Sequence, residues 1–165
     1  MTFADLALGD HLFIDSNTLV YHFAADPVFG PACAGLMNRI QSQELHAFTS
    51  THALGEAAHR MMTIEAAALF GWKSKLLQRL KQHPAKVQQL SKFRQAVEQT
   101  PQLGIQTLTV APPLIAVGAT ISQQTGLLTN DALMVAVMQA NGLIKLASAD
   151  ADLDRAPGIT RYAPA

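Results

Sequence analysis

The chain has 165 residues, 49% of them apolar, which is enough for a sizeable core in one domain and too many for a disordered chain. Twelve basic and twelve acidic residues cancel, so the net charge gives no hint of a nucleic-acid partner. Cys33 is the only cysteine, which excludes an internal disulfide and a cysteine-rich zinc site. With no apolar run of ~18 residues and no secretory leader pattern, the expectation is a soluble, cytoplasmic protein with no membrane partner.

His11-Leu12-Phe13-Ile14 is an apolar run that stops at Asp15-Ser16-Asn17, the pattern of a buried strand handing over to a helix through capping residues. A short helix is expected over 18–25, halted near Asp26-Pro27, and a second over 31–43. Residues 45–49 form the next candidate strand, after which Ser50 or Thr51 can cap a helix over 52–62. The helix-favouring stretch 64–99 is interrupted by Pro84, which predicts two helices joined near His83-Pro84 and forming an arm on the single domain. β-Branched residues return at strand-like density over 105–110, and Pro112-Pro113 opens a helix running to about 125. Thr129-Asn130 is expected to cap a helix over 131–140, closed by Asn141-Gly142. A buried strand at 143–147, a loop or turn at 150–158 and an edge strand at 159–162 complete the pattern. This alternation predicts a three-layer α/β/α fold, an open, mainly parallel sheet covered on both faces. In such sheets functional groups collect just past the carboxyl ends of the strands.

Charge is unevenly spread along the chain. No acid lies between Ala66 and Val97, where Lys73, Lys75, Arg79, Lys81, Lys86, Lys92 and Arg94 supply seven of the twelve basic residues. Acids gather instead at Asp131, Asp150, Asp152 and Asp154. A neutral total thus hides a basic arm beside an acidic centre. Lys73, Lys75 and Arg79 can track phosphates there, or form only a solvated helix face. Trp72 and Phe93 are expected to pack in the core rather than to stack on bases.

Four acids are candidates for chemistry. Asp15 directly follows the first strand, and capping by Ser16 and Asn17 would leave it free. Glu56 shares a helix face with His52, His59 and Arg60; that spacing is not HExxH, and no further zinc ligand is evident. Asp131 falls in the first turn of an apolar helix, where the dipole alone stabilises an acid. Asp150 follows a late strand, with Asp152 and Asp154 as competitors. Each has an ordinary structural explanation singly, yet three of the four fall at strand ends or helix starts. A cluster of carboxylates suits hard divalent cations such as Mg²⁺ or Mn²⁺, which bind through a few carboxylates and keep several waters. Such ions polarise a phosphodiester and activate a bound water. Without metal, the acids repel one another and raise their own pKa values.

In order along the chain, these segments resemble the PIN-domain family. FIDSNTLVYHF is similar to the family's opening motif, and TSTHALGEAAHR to its second, a helix bearing one Glu. GLLTNDALMVAVMQANGLIKLASADADLDRAPGITRY resembles the third and fourth motifs: a helix-starting Asp, a strand, a Ser/Thr-x-Asp and a closing hydrophobic segment. The last segment is the most specific, and 64–103 fits least closely. The resemblance implies a Mg²⁺- or Mn²⁺-dependent endoribonuclease in which Asp15, Glu56, Asp131 and Asp150 bind the metal. Ser16, Asn130 and Ser148 would be hydrogen-bonding neighbours, and the Ser-x-Asp pattern selects Asp150 over Asp152. Leu153 stands where an aromatic residue is usual. A stand-alone chain of this length looks most like the VapC-type toxin of a toxin–antitoxin pair, which implies a tRNA or rRNA substrate, an antitoxin and a homodimer.

Rival readings are weaker. Asp15-Ser16-Asn17-Thr18 superficially matches the nucleophile motif of haloacid-dehalogenase-type phosphatases, but Asn17 occupies the place of their acid, and an amide cannot relay a proton. No GxGxxG follows the first strand, against a dinucleotide-binding fold. A non-catalytic PIN-like scaffold that binds RNA or protein remains as an alternative, against which the retention of all four acids argues.

Overall fold

A computed structural model describes all 165 residues. Five strands, β1 (His11–Ile14), β2 (His46–Ser50), β3 (Gln106–Leu108), β4 (Lys145–Ala147) and β5 (Thr160–Tyr162), form one sheet in the order β3-β2-β1-β4-β5. Every neighbouring pair is parallel, so the expected mainly parallel sheet is wholly so. Eight α-helices accompany it: α1 (Ser16–Phe23), α2 (Gly30–Gln41), α3 (Thr51–Phe70), α4 (Leu76–Gln82), α5 (Pro84–Val87), α6 (Lys92–Gln99), α7 (Pro112–Thr125) and α8 (Thr129–Ala140). None is long and apolar enough to cross a membrane.

The strand period of two divides the core into two layers. Leu12 and Ile14 of β1 join Leu19, Leu36, Met37 and Met61 from α1, α2 and α3, while Phe13 joins Val135, Met138 and Ile121 from α8 and α7. On β4 the same alternation sends Leu146 to the α7–α8 side and Ala147 to the other, in register with Phe13 and Ile14. Helix α8 buries six of its residues because it is sandwiched between the sheet and α7. Close approach of α7 and α8 depends on Gly118, where a Cβ would stand 2.9 Å from the Leu133 Cα.

The stretch between β2 and β3 departs most from expectation. Helix α3 does not stop near residue 62 but runs to Phe70, ending where Gly71 takes a positive φ of 64°. Beyond it lie three short helices rather than two long ones. Pro84 does break the run, at the first position of α5. The basic segment folds back on α3 over a small core of Ala66, Leu80 and Leu90, flanked by Met62, Phe70, Trp72, Val87 and Phe93. Trp72 and Phe93 therefore pack inward.

Helix starts also differ in detail. Ser50 caps α3 as expected, its side chain accepting from the Ala53 N–H at 3.1 Å. Ser16 and Asn17, however, lie inside the first turn of α1, with Asp15 at the cap position. Thr129 and Asn130 likewise lie inside α8, whose cap position is Leu128.

Glu65 of α3 is buried without a cation. Its carboxylate accepts from the backbone N–H groups of Ser91 (3.1 Å) and Lys92 (2.9 Å), fastening the start of α6 through the helix dipole. Glu65→Ala would strand these donors and is expected to cost about 1–3 kcal/mol. The check is a lower melting temperature together with faster amide exchange in α6.

Candidate active site

The chain order turns at β1: β2 and β3 are laid outward on one side, β4 and β5 on the other. At such a switch point the loops leaving two neighbouring strands diverge and leave a crevice at their carboxyl ends. Asp15 enters it directly from β1, its backbone N–H donating to the Ala147 carbonyl of β4 at 3.1 Å. Its carboxylate is buried.

What holds that carboxylate comes from both sides of the crevice. Ser148, next after β4, donates its hydroxyl to Asp15 Oδ2 at 2.7 Å, and Asn17 donates Nδ2 to the same oxygen. Asn17 Nδ2 also reaches Ser148 Oγ at 3.1 Å, and Asn17 Oδ1 accepts from the Ala149 N–H at 3.3 Å. The Asp150 N–H donates to Ser148 Oγ at 3.0 Å. Thr18 adds a bond to the Ala147 carbonyl at 3.0 Å. The loops after β1 and β4 are thus fastened by polar groups that are almost all satisfied internally.

The other candidate acids converge on this crevice from separate elements. Glu56 is half-buried in the second turn of α3, Asp131 half-buried in the first turn of α8, and Asp150 exposed beyond β4. Their mutual influence is electrostatic. Burial pushes the Asp15 carboxyl up to about 6, with the Glu56 charge adding to the rise and Ser148 and Ser16 opposing it. Asp131 is also raised, first by burial, then by Asp150, Glu56 and Asp152, with Arg155 opposing.

Ion pairing separates these four acids from the rest. Asp10, Glu44, Glu98, Asp152 and Asp154 each bond to a lysine or arginine. Asp5, Asp26 and Glu65 each accept backbone N–H groups at turns or helix starts. Asp15, Glu56, Asp131 and Asp150 have no salt-bridge partner, although the Glu56 charge raises Asp15, and the Asp150 and Glu56 charges raise Asp131. Asp152 is bound to Arg155 at 2.9 Å and Asp154 to Arg161 at 2.8 Å, which sets both apart from Asp150. Asp150 Oδ1 itself accepts only from the Asp152 N–H.

All-oxygen donors at the ends of parallel strands fit a hard divalent cation. No three Asp, Glu, His or Cys side chains stand close enough to grip one as they are, and this includes His52, Glu56 and His59. Mg²⁺ needs only one or two carboxylates besides its waters.

Of the supporting residues, Ser148 bonds to Asp15, and Ser16 favours its charged form. Asn130 is exposed and makes no side-chain bond to the protein. Asn17, expected only as a cap, is instead central to the network; its partner lies 131 residues away, so local pattern gives no sign of it. Asn17 also carries no acid in the position that a phosphatase of the dehalogenase kind needs.

The PIN domain family matches residues 12–159 of this chain. No curated protein matches it in sequence. Among solved structures, it resembles VapBC2 from Rickettsia felis bound to a promoter DNA fragment, at 12% identity and TM-score 0.59, covering 93% of this chain and 98% of that one. It also resembles VapC20 from Mycobacterium tuberculosis, described as a sarcin-ricin loop cleaving toxin, at 15% identity and TM-score 0.58, covering 88% and 95%. A toxin–antitoxin complex from Klebsiella pneumoniae matches at 14% identity and TM-score 0.55, covering 90% and 95%. At these identities the likeness is one of fold. The family match spans nearly the whole chain, and with the architecture above it gives one conclusion: this chain belongs to the PIN domain family.

Proposed function

We propose that this chain is a metal-dependent endoribonuclease and the toxin of a toxin–antitoxin pair. What supports the reading is that Asp15, Glu56, Asp131 and Asp150, from four separate segments, are linked electrostatically and none of them has a salt-bridge partner. In this reading these acids hold Mg²⁺ or Mn²⁺, which when bound would polarise the phosphodiester and lower the pKa of a water. Asn17 and Ser148 orient the Asp15 carboxylate, and the buried position of Asp15 keeps bulk water from competing for it.

The substrate in this reading is RNA, either tRNA or rRNA; the description of the mycobacterial neighbour as a sarcin-ricin loop cleaving toxin supports an RNA substrate, and the complexes among the neighbours support the antitoxin. A cytoplasmic homodimer belongs to the same reading. One observation favours the non-catalytic scaffold instead: no three acids stand at metal-holding spacing.

The test is incubation of a tRNA and rRNA pool with the wild-type protein in Mg²⁺, Mn²⁺ and EDTA. Discrete products in metal and none in EDTA are expected; products undiminished in EDTA would remove the metal-dependent reading.

Lys73, Lys75 and Arg79 are assigned to the RNA path in the same reading. All three are exposed, and Arg79 lies 5.6 Å from the Trp72 ring centroid. Charge reversal of the three together is expected to weaken RNA binding at least tenfold, flatten its salt dependence and leave metal binding intact. An unchanged RNA affinity would remove this basic face from the path.

A further inference from the structure

The chain has six arginines, and five of them have a partner. Arg39 bonds to Glu44 and to the carbonyls of Phe3 and Leu6, Arg94 to Glu98, Arg155 to Asp152, and Arg161 to Asp154 and the Ser148 carbonyl. Arg79 rests on Trp72. Arg60 alone has no ion pair, no side-chain hydrogen bond and no aromatic contact, although it is half-buried. A guanidinium that has lost part of its hydration is ordinarily paired, because desolvating a charge is costly.

Its place in the fold says what the pair would be. Arg60 follows Glu56 by four residues on α3, which puts it on the same face, about 6 Å further along the axis. Thr63 continues that face and lines a shallow groove with Ser74 and Lys75. A line of groups thus runs from the acids of the crevice through Arg60 to the basic segment. A stacked nucleic-acid strand carries one phosphate per roughly 3.4 Å, so Arg60 falls about one or two phosphates from the bond at the acids.

We propose that Arg60 is a phosphate-binding residue that grips the nucleic-acid backbone beside the cleavage site. This rests on the nuclease reading above. Its planar fork suits two phosphate oxygens, whereas a lysine at the same place would supply only the charge. The competing occupant is a carboxylate of a protein partner, which predicts no effect on RNA binding.

The experiment is fluorescence anisotropy of a labelled single-stranded oligoribonucleotide in EDTA, at several salt concentrations, with wild type, Arg60→Gln and Arg60→Lys. Arg60→Gln is expected to weaken binding about five- to tenfold and to reduce the salt slope by about 0.7, the loss of one phosphate contact on a single strand. Its melting temperature should not fall, because no protein partner is lost. Arg60→Lys should keep the slope and recover part of the affinity. An unchanged slope in Arg60→Gln, or a melting temperature lowered alike in both variants, overturns the proposal while leaving the nuclease reading intact. A wild-type protein that binds no oligoribonucleotide overturns both.

Discussion

Replacing Asp131 by asparagine is expected to reduce RNA cleavage at least about a hundredfold, because under the proposed function it removes a metal ligand and with it several kcal/mol of charge stabilisation. The same substitution should leave the fold undisturbed. Asp131 has no salt bridge to break, and its proton affinity is raised by burial and by Asp150, Glu56 and Asp152, so its charge is a burden on the metal-free protein. Loss of the negative charge from the first turn of α8 gives back a few tenths of a kcal/mol of dipole stabilisation, not enough to reverse that. Cleavage of a mixed tRNA and rRNA pool and a thermal melt in EDTA, run on the same preparation, read both parts. Full activity in Asp131→Asn would remove this residue from the metal site.

Asp15→Asn is expected to stabilise the metal-free protein at pH 7.5 while destroying activity. The buried carboxyl titrates at about 6 against an ordinary 3.8. Because its folded pKa is raised, the carboxyl favours folding only in its protonated form. That contribution is whole below pH 3.8, is lost as the pH rises through 6, and leaves a constant penalty above. Two units correspond to about 3 kcal/mol as an upper figure. An asparagine that places its carbonyl oxygen at the position of Oδ2 can still accept from Ser148 and Asn17, so the network survives. The melting temperature should rise on the order of 5 °C in EDTA at pH 7.5, and the gain should shrink towards zero at pH 4. A variant less stable than wild type at both pH values would show that the Asp15 carboxylate is not strained.

Much of this arrangement is legible in the amino-acid sequence, for identifiable reasons. Strand β1 and its terminal Asp15 stand out because an apolar run breaks abruptly at polar residues, and α7 because paired prolines open it. Asp150 is visible as an acid just past an apolar strand, whereas Ser148 and the choice of Asp150 over Asp152 come from the resemblance to the family's Ser-x-Asp pattern. Other features depend on what folding brings together. Helix α3 overruns its expected end because nothing between Met62 and Phe70 breaks a helix, and only Gly71 does. The role of Asn17 requires the loop after β4 to lie beside β1, a contact that no local spacing encodes. Glu65 looks like any helical acid until α6 returns to place its first N–H groups upon it. Arg60 becomes conspicuous only when the partners of the other arginines are known.

The most direct test of the central claim is a calorimetric titration of Mn²⁺ into EDTA-stripped protein near pH 6, repeated in two buffers of different ionisation enthalpy. The account predicts saturable binding with release of protons from the raised carboxyls, a higher melting temperature on loading, and loss of both in Asp131→Asn. Neither heat of binding nor a thermal shift with either Mn²⁺ or Mg²⁺ would contradict it, and the four acids would then belong to a PIN scaffold that does not cut.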